Sequence, residues 1–266
     1  MAKFLHGTAG WSYADWVGPF YEEGTPEGAY LERYAARFPA AEVDSTYYRT
    51  PPAKMVQRWA EVTPENFVFS PKMVGEVTHE KFLVGCDGLV EKFMAAMRPL
   101  GAKLSWVVLQ FPYYKKADGV TLEGFLERLV PFLDRHRDKP FAVEVRNKPF
   151  LKPELIRVLS ERGTPLVLID HVWMPPPSAL RGMFTASTVP VRLLGDRYGI
   201  EKITTKWEKV VVDREDRLQE WADLIRSALA EGRDVQAFAN NHFAGYAPAT
   251  AARLAELVLD SAGPGH

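Results

Sequence analysis

Seven charged residues sit at or near the ends of short apolar runs: Glu42, Asp44, Lys72, Glu144, Arg146, Asp170 and Arg192. Carboxylates beside ammonium and guanidinium groups can carry protons and hold developing negative charge, so general acid/base work on a polar substrate is the chemistry they suit. The sharpest stretch is Ala41 to Pro52, AEVDSTYYRTPP. Alternation there puts Glu42 and Asp44 on one face of a strand, roughly 7 Å apart. Two such carboxylates are costly to bury without partners, and the partners must come from elsewhere in the chain. Glu42 with Arg146, or Glu144 with Arg192, would equally satisfy one another as structural ion pairs in the deeper layer.

The elements that would gather these residues follow from periodicity. Eight strand candidates run over Phe4–Trp11, Ala41–Tyr47, Asn66–Lys72, Ser105–Pro112, Phe141–Asn147, Pro165–His171, Pro190–Gly195 and Val235–Asn241. Helical spacing fills Pro26–Phe38, Ala53–Ala60, His79–Leu100, Leu122–His136, Pro153–Arg162, Glu215–Glu231 and Pro248–Asp260. Thr121 caps one start, Pro26 and Pro153 open two others, and Gly101, Gly163 and Gly232 follow helix ends. Only the proline-rich VWMPPPSALRG after the sixth strand lacks a helix. Eight alternations predict a parallel sheet closed as a (β/α)8 TIM barrel, one domain over residues 1–266 with a disordered tail at 261–266.

In such a barrel the outward face of each strand packs under helices, so the polar face at the strand ends looks into the mouth. This predicts inward Glu42 and Asp44, Lys72, Gln110, Glu144 and Arg146, Asp170 in line with Leu166 and Leu168, Arg192, and Asn240. Aromatic residues crowd the adjoining loops: Trp11, Tyr13, Trp16, Phe20 and Tyr21 after the first strand, Tyr47 and Tyr48 after the second, Trp207 after the seventh. They would either stack on a sugar or base or seal the first loop onto the barrel. Asn240, Asn241 and His242, with Arg192 and Arg197, stand where many barrels hold phosphate.

Composition narrows the classes. The chain has 266 residues, 47% of them hydrophobic, and 33 basic against 34 acidic residues, so no global charge draws it to nucleic acid. No apolar run reaches the roughly 20 residues of a membrane span, and the start lacks signal-peptide regions, so a cytoplasmic protein without a membrane partner is expected. The single Cys86 suits a reducing compartment. The six histidines show no HxH, HExxH or Cys/His spacing, and neither a P-loop nor a GxSxG elbow occurs. No motif therefore announces a nucleotide or zinc cofactor, while a Mg²⁺ or Mn²⁺ ion on Asp44, Glu144 and Asp170 stays open.

The order GTAGWSYADWVGPFY, EVDSTYYRTP, TPENFVFSPK, LQFP, AVEVRN, Asp170, VRLLG, Trp207 and FANNHFAGYA resembles the DUF72 (YecE-like) family from Gly7 to the last helix. The resemblance implies a TIM barrel and leaves the reaction open. Its pattern falls on Thr8, Gly10, Trp11, Tyr13, Trp16, Asp44, Tyr48, Arg49, Lys72, Gln110, Glu144, Arg146, Asp170, Arg192, Asn240 and Asn241. Two departures stand out: Ala9 where the family usually has Ser, and Asn147 where it often has His.

Three functions follow as expectations. The first is an acid/base enzyme, a hydrolase by first choice, acting on a small or oligomeric polar substrate that carries phosphate or sugar. Asp44 and Asp170 would carry protons, Lys72 and Arg146 stabilise charge, and Asn240 and Asn241 orient the substrate. The second is nucleic-acid binding or repair, with the aromatic loop stacking bases and Arg49, Lys72 and Arg192 meeting phosphates. The third is a non-catalytic ligand-binding module.

Overall fold

The computed structural model describes residues 2–260, and the tail expected at 261–266 lies outside the described residues. All eight strands form: β1 (Phe4–Ala9), β2 (Ala40–Val43), β3 (Val68–Pro71), β4 (Val107–Gln110), β5 (Phe141–Glu144), β6 (Leu168–His171), β7 (Thr188–Gly195) and β8 (Asp234–Ala239). Six pair in the order β3-β2-β1-β8-β7-β6 and two as β4-β5, every pair parallel. Single bridges join the two groups, Phe69 to Leu104 and Lys72 to Val108 on one side, Val143 to Leu166 on the other. The ring is therefore closed in sequence order, a (β/α)8 barrel.

The helices are α1 (Tyr30–Ala35), α2 (Ala53–Val62), α3 (Asp87–Met97), α4 (Leu122–Arg135), α5 (Pro153–Glu161), α6 (Arg197–Ile200), α7 (Glu215–Ala230), α8 (Asn241–Ala244) and α9 (Ala247–Leu259). Between β6 and β7 only a 3-10 turn, Pro177–Leu180, forms, because consecutive prolines withhold the amide hydrogens a helix needs. Thr121 caps α4 by accepting the Gly124 N–H at 3.2 Å. Two helices are shorter than their periodicity suggests, the first because Glu27–Ala29 forms a 3-10 turn and α1 keeps only Tyr30–Ala35 of Pro26–Phe38. His79 to Cys86 does not join α3: Glu76–Glu80 is a turn of π-helix, after which Phe82 (φ 44°) and Leu83 (φ 67°) turn left-handed. Two consecutive non-glycine residues in that region are strained, and such strain concentrates at functional sites.

Alternation sorts the side chains as a barrel requires. Val43, Phe69, Leu109, Val143 and Leu193 join the apolar layer under the helices. Inside the barrel, Ser70, Ser105 and Gln236 hydrogen-bond near the N-terminal end, and Gln236 Nε2 donates to Ser105 Oγ at 2.8 Å. Above them Val108, Ala142, Val167 and Ile169 form a small apolar plug. The charged residues cap this plug at the C-terminal end, so they lie between a dry layer and the open mouth.

Candidate active site

The strand ends build the site in order. β2 stops at Val43, and Asp44 opens a 3-10 turn to Tyr47, not the continued strand that the sequence suggests. Thr46 fixes that turn: its hydroxyl lies 2.8 Å from Val43 O and 2.7 Å from Lys72 O, tying the ends of β2 and β3 together. Arg192 of β7 stands at the centre, 2% exposed. Its Nη2 donates to Glu42 Oε1 (2.6 Å) and Asp44 Oδ1 (3.2 Å), its Nε pairs with Glu42 Oε2, and its Nη1 donates to Glu144 Oε2. Lys72 Nζ meets Asp44 Oδ1 at 2.7 Å and donates to Gln110 Oε1 at 3.2 Å. Arg146 donates through Nε to Glu144 Oε1 at 3.0 Å and through Nη2 to Gln110 Oε1 at 3.1 Å. Three carboxylates thus meet three cations, and Gln110 bridges two of the cations as an acceptor.

Depth separates their roles. Glu42 and Glu144 are fully buried beneath the mouth, whereas the Asp44 and Arg146 side chains remain about a third exposed, at 32% and 31%. Burial alone would raise the Glu144 carboxyl, but the Arg192, Arg146 and Lys72 charges outweigh it and hold it at about 2. Burial likewise opposes ionisation of Asp44, and Lys72 and Arg192 overcome it, leaving Asp44 well below the usual carboxylate range. Glu42 is pushed up by burial, with Asp44 adding to the rise and Arg192 opposing it.

The Glu144 shift carries a sign for stability. Its folded value lies below the ordinary 4.5, so its contribution is complete above about pH 4.5 and is lost as pH falls toward 2. We expect thermal stability to fall steeply across that window, by up to about 3 kcal/mol from this group. Melting curves from pH 7 to 3 check it: Glu144→Gln should flatten that part of the profile.

A cavity of about 590 Å³ opens above the cluster. It is lined by Asp44, Lys72, Gln110, Arg146 and Asn240 from the strand ends, by Tyr13, Tyr47 and Tyr48 from the loops, and by three histidines, His79, His171 and His242. Burial lowers the pKa of all three imidazoles; nearby Arg146 lowers His79 and His171 further, while Glu201 opposes the shift at His242. They are therefore mainly neutral at pH 7, the form that accepts a proton. His79 is presented by the π-turn, its Nδ1 2.8 Å from Thr78 Oγ1. Asn240 Oδ1 accepts the His242 backbone N–H at 3.0 Å and lies 2.7 Å from Nδ1, which orients that ring. No local spacing links these histidines, since each belongs to a different β-α unit.

A second cavity, of about 730 Å³, adjoins the first between the β1 loop and α2. Trp11, Met55, Trp59 and Val62 line it, and Tyr13, Asp44 and Ser45 border both spaces. The rest of the first loop seals the barrel: Trp16, Phe20 and Tyr21 are buried.

Several expected members stand elsewhere. Asp170 faces the helical shell, where its Oδ2 accepts from Arg217 Nε at 2.5 Å and from Trp221 Nε1 at 2.6 Å, both on α7. Val167 and Ile169 are the inward residues of β6, so Asp170 shares the outward phase of Leu166 and Leu168, and His171 takes the inward place at the strand end. The set Asp44, Glu144 and Asp170 is consequently not assembled, and among the described residues no group of three or more acidic, His or Cys side chains is arranged to hold a metal ion. Asn241 is buried, its Oδ1 accepting the Ala247 N–H at 2.9 Å, so it joins α8 to α9 and does not line the mouth. Arg49 is exposed and Trp207 packs edge-on against His242 at 4.9 Å; neither lines the two cavities. Asn147 is paired both ways with the Tyr114 backbone, at 2.9 and 2.8 Å, a loop pin.

A closed (β/α)8 barrel whose charged strand ends meet a cavity at the C-terminal face places the protein among the TIM-barrel proteins. The chain belongs to the DUF72 family, whose profile, "Protein of unknown function DUF72", matches residues 5–264. It is 30% identical over 185 residues to the UPF0759 protein YecE of Escherichia coli (strain K12), a match spanning 66% of this chain and 63% of that protein. It is 29% identical over 156 residues to the UPF0759 protein YunF of Bacillus subtilis (strain 168), spanning 55% of this chain and 52% of that one. Its fold resembles the crystal structure of a DUF72 family protein from Enterococcus faecalis v583, with TM-score 0.72, 21% identity and coverage of 96% and 95%. Another DUF72 family protein, from Thermotoga maritima MSB8, gives TM-score 0.68 and 23% identity, covering 96% of this chain and 99% of that one. Among the described residues no helix is long and apolar enough to cross a membrane.

Proposed function

We propose that this protein is an acid/base enzyme that takes a small polar substrate bearing an anionic group, a phosphate by first choice, at the barrel mouth. The observation that carries this is the pairing of imidazoles held neutral, His79 and His171, with the partly exposed Arg146 beside Lys72. Lys72 and Arg146 hold the anion and the charge that grows on it. In hydrolysis, a neutral imidazole accepts the proton of the attacking water and returns it to the departing oxygen. Asp44 stays ionised, fixes Lys72 and favours an imidazolium at His242, while Glu144 favours one at His79 and His171. Asp44 is thus an electrostatic partner and not itself a proton donor. Gln110 and Asn240 orient the substrate. The lone buried Cys86 suits work in the cytoplasm.

The experiment is phosphate release from a panel of phosphomonoesters and sugar phosphates, with direct titration of inorganic phosphate alongside. Lys72→Met and Arg146→Ala should each weaken phosphate binding by about tenfold or more. Turnover or binding that survives both substitutions unchanged contradicts the proposal.

A further inference from the structure

We infer that the apolar cavity beside the mouth is the second half of one cleft and binds a flat aromatic group joined by a short linker to the anion held at the mouth. This rests on the mouth being the anion site. Continuity is the first support: Tyr13, Asp44 and Ser45 border both cavities, so one molecule can reach from Arg146 past Asp44 into the annex. Size is the second. At about 730 Å³ and 590 Å³, each space lies within the range of small-molecule sites.

Shape selects a ring over an alkyl chain. Trp11 and Trp59 meet edge to face at 85° with centroids 5.6 Å apart, and the buried Trp59 stacks on Phe69 at 27°, so the aromatic wall is rigid and the half-buried Trp11 is its more accessible indole. A planar ring can pack against that wall in the offset or edge-to-face arrangement aromatic quadrupoles favour. Glu27, Arg58 and Ser12 add polar groups to the same lining, which suits ring heteroatoms and not a methylene chain. The linker would cross Asp44, the carboxylate that faces both spaces.

Calorimetric titrations with inorganic phosphate, phenyl phosphate, adenosine monophosphate and adenosine test this. Either ring-bearing phosphate should bind at least about tenfold tighter than inorganic phosphate, the gain expected from burying a ring. The two separate a plain aryl group from a nucleobase as the source of the ring. Gly28 lines the annex with nothing within 4 Å of where a Cβ would stand, so Gly28→Phe can extend a ring there without a backbone clash. Gly28→Phe, and independently Met55→Glu, should erase the gain while inorganic phosphate binding stays within about twofold. Arg146→Ala should weaken every anion. Ring phosphates no tighter than inorganic phosphate, or a gain that survives both annex substitutions, overturn the annex and leave the mouth standing. Ring-dependent binding abolished by Gly28→Phe without any phosphate affinity supports the annex and refutes the mouth; no binding by any ligand refutes both.

Discussion

Arg192→Met is expected to destabilise the protein by about 3–5 kcal/mol, the cost of leaving buried charge without its partner. Glu42 and Glu144 are both fully buried and both face this guanidinium, and Asp44 lies 3.2 Å from it. Methionine fills much of the same volume, so the loss is electrostatic and not a cavity. For a chain of this length the melting temperature should drop by roughly 6–20 °C. Arg192→Lys should recover only part of this, because an ammonium cannot present a planar fork to two carboxylates. Adding Glu144→Gln to Arg192→Met should restore much of the stability by removing the orphaned carboxylate, since burial already favours the neutral form of Glu42. A single Arg192→Met variant that melts within a degree or two of the parent would mean that the three acids do not depend on Arg192.

Asp44→Asn should reduce turnover on any phosphoester the enzyme accepts by about 10²-fold or more. The amide keeps the size of the side chain but cannot hold Lys72 as an ion pair at 2.7 Å or stabilise an imidazolium at the mouth. Stability should fall too, by about 1–3 kcal/mol, since Lys72 and Arg192 both lose a charged partner. The two effects separate in practice: at a temperature well below melting, the folded variant should still bind inorganic phosphate yet turn over slowly. Parallel melting curves and initial rates check both. A rate within a few-fold of the parent would remove Asp44 from the chemistry.

Strand by strand, legibility tracked the contrast between the two faces. In FAVEVRN the apolar Val143 and Val145 alternate with Glu144 and Arg146, and both charged residues stand inward as the alternation requires. Arg192, flanked by Val191 and Leu193, was equally clear, and so was the gathering of Glu42, Asp44 and Lys72 at the same mouth, whereas Glu42 pairs with Arg192 and not with the expected Arg146. β6 offers no such contrast. Leu166 to Ile169 is apolar on both faces because one face meets the helices and the other the barrel plug, so the phase of Asp170 was undetermined by pattern and its partners Arg217 and Trp221 lie some fifty residues away.

His242 was placed in the phosphate loop, but the histidines as a set were hidden for a different reason. A metal motif or a catalytic box has local spacing because one helix or loop carries it, but His79 follows β3, His171 ends β6 and His242 follows β8, and only barrel closure brings them together. Once the structure sets inward parity on β6 through Val167 and Ile169, His171 is the next inward residue, a parity the apolar run left open. Asn240 and Asn241 show the finest limit: adjacent and chemically identical, one lines the mouth as the cap of α8 while the other is buried against α9. The annex was not legible at all, since Trp11 and Trp59 belong to different β-α units and meet only in three dimensions.

Anion binding at the mouth beside neutral imidazoles is tested by ring-nitrogen NMR of the histidines at pH 7. Spectra assigned through His79→Gln, His171→Gln and His242→Gln should show neutral rings in the free protein, and inorganic phosphate should shift His79 and His171 in parallel, an effect lost in Arg146→Ala. Cationic rings at neutral pH, or resonances that do not move as phosphate is added, would contradict it.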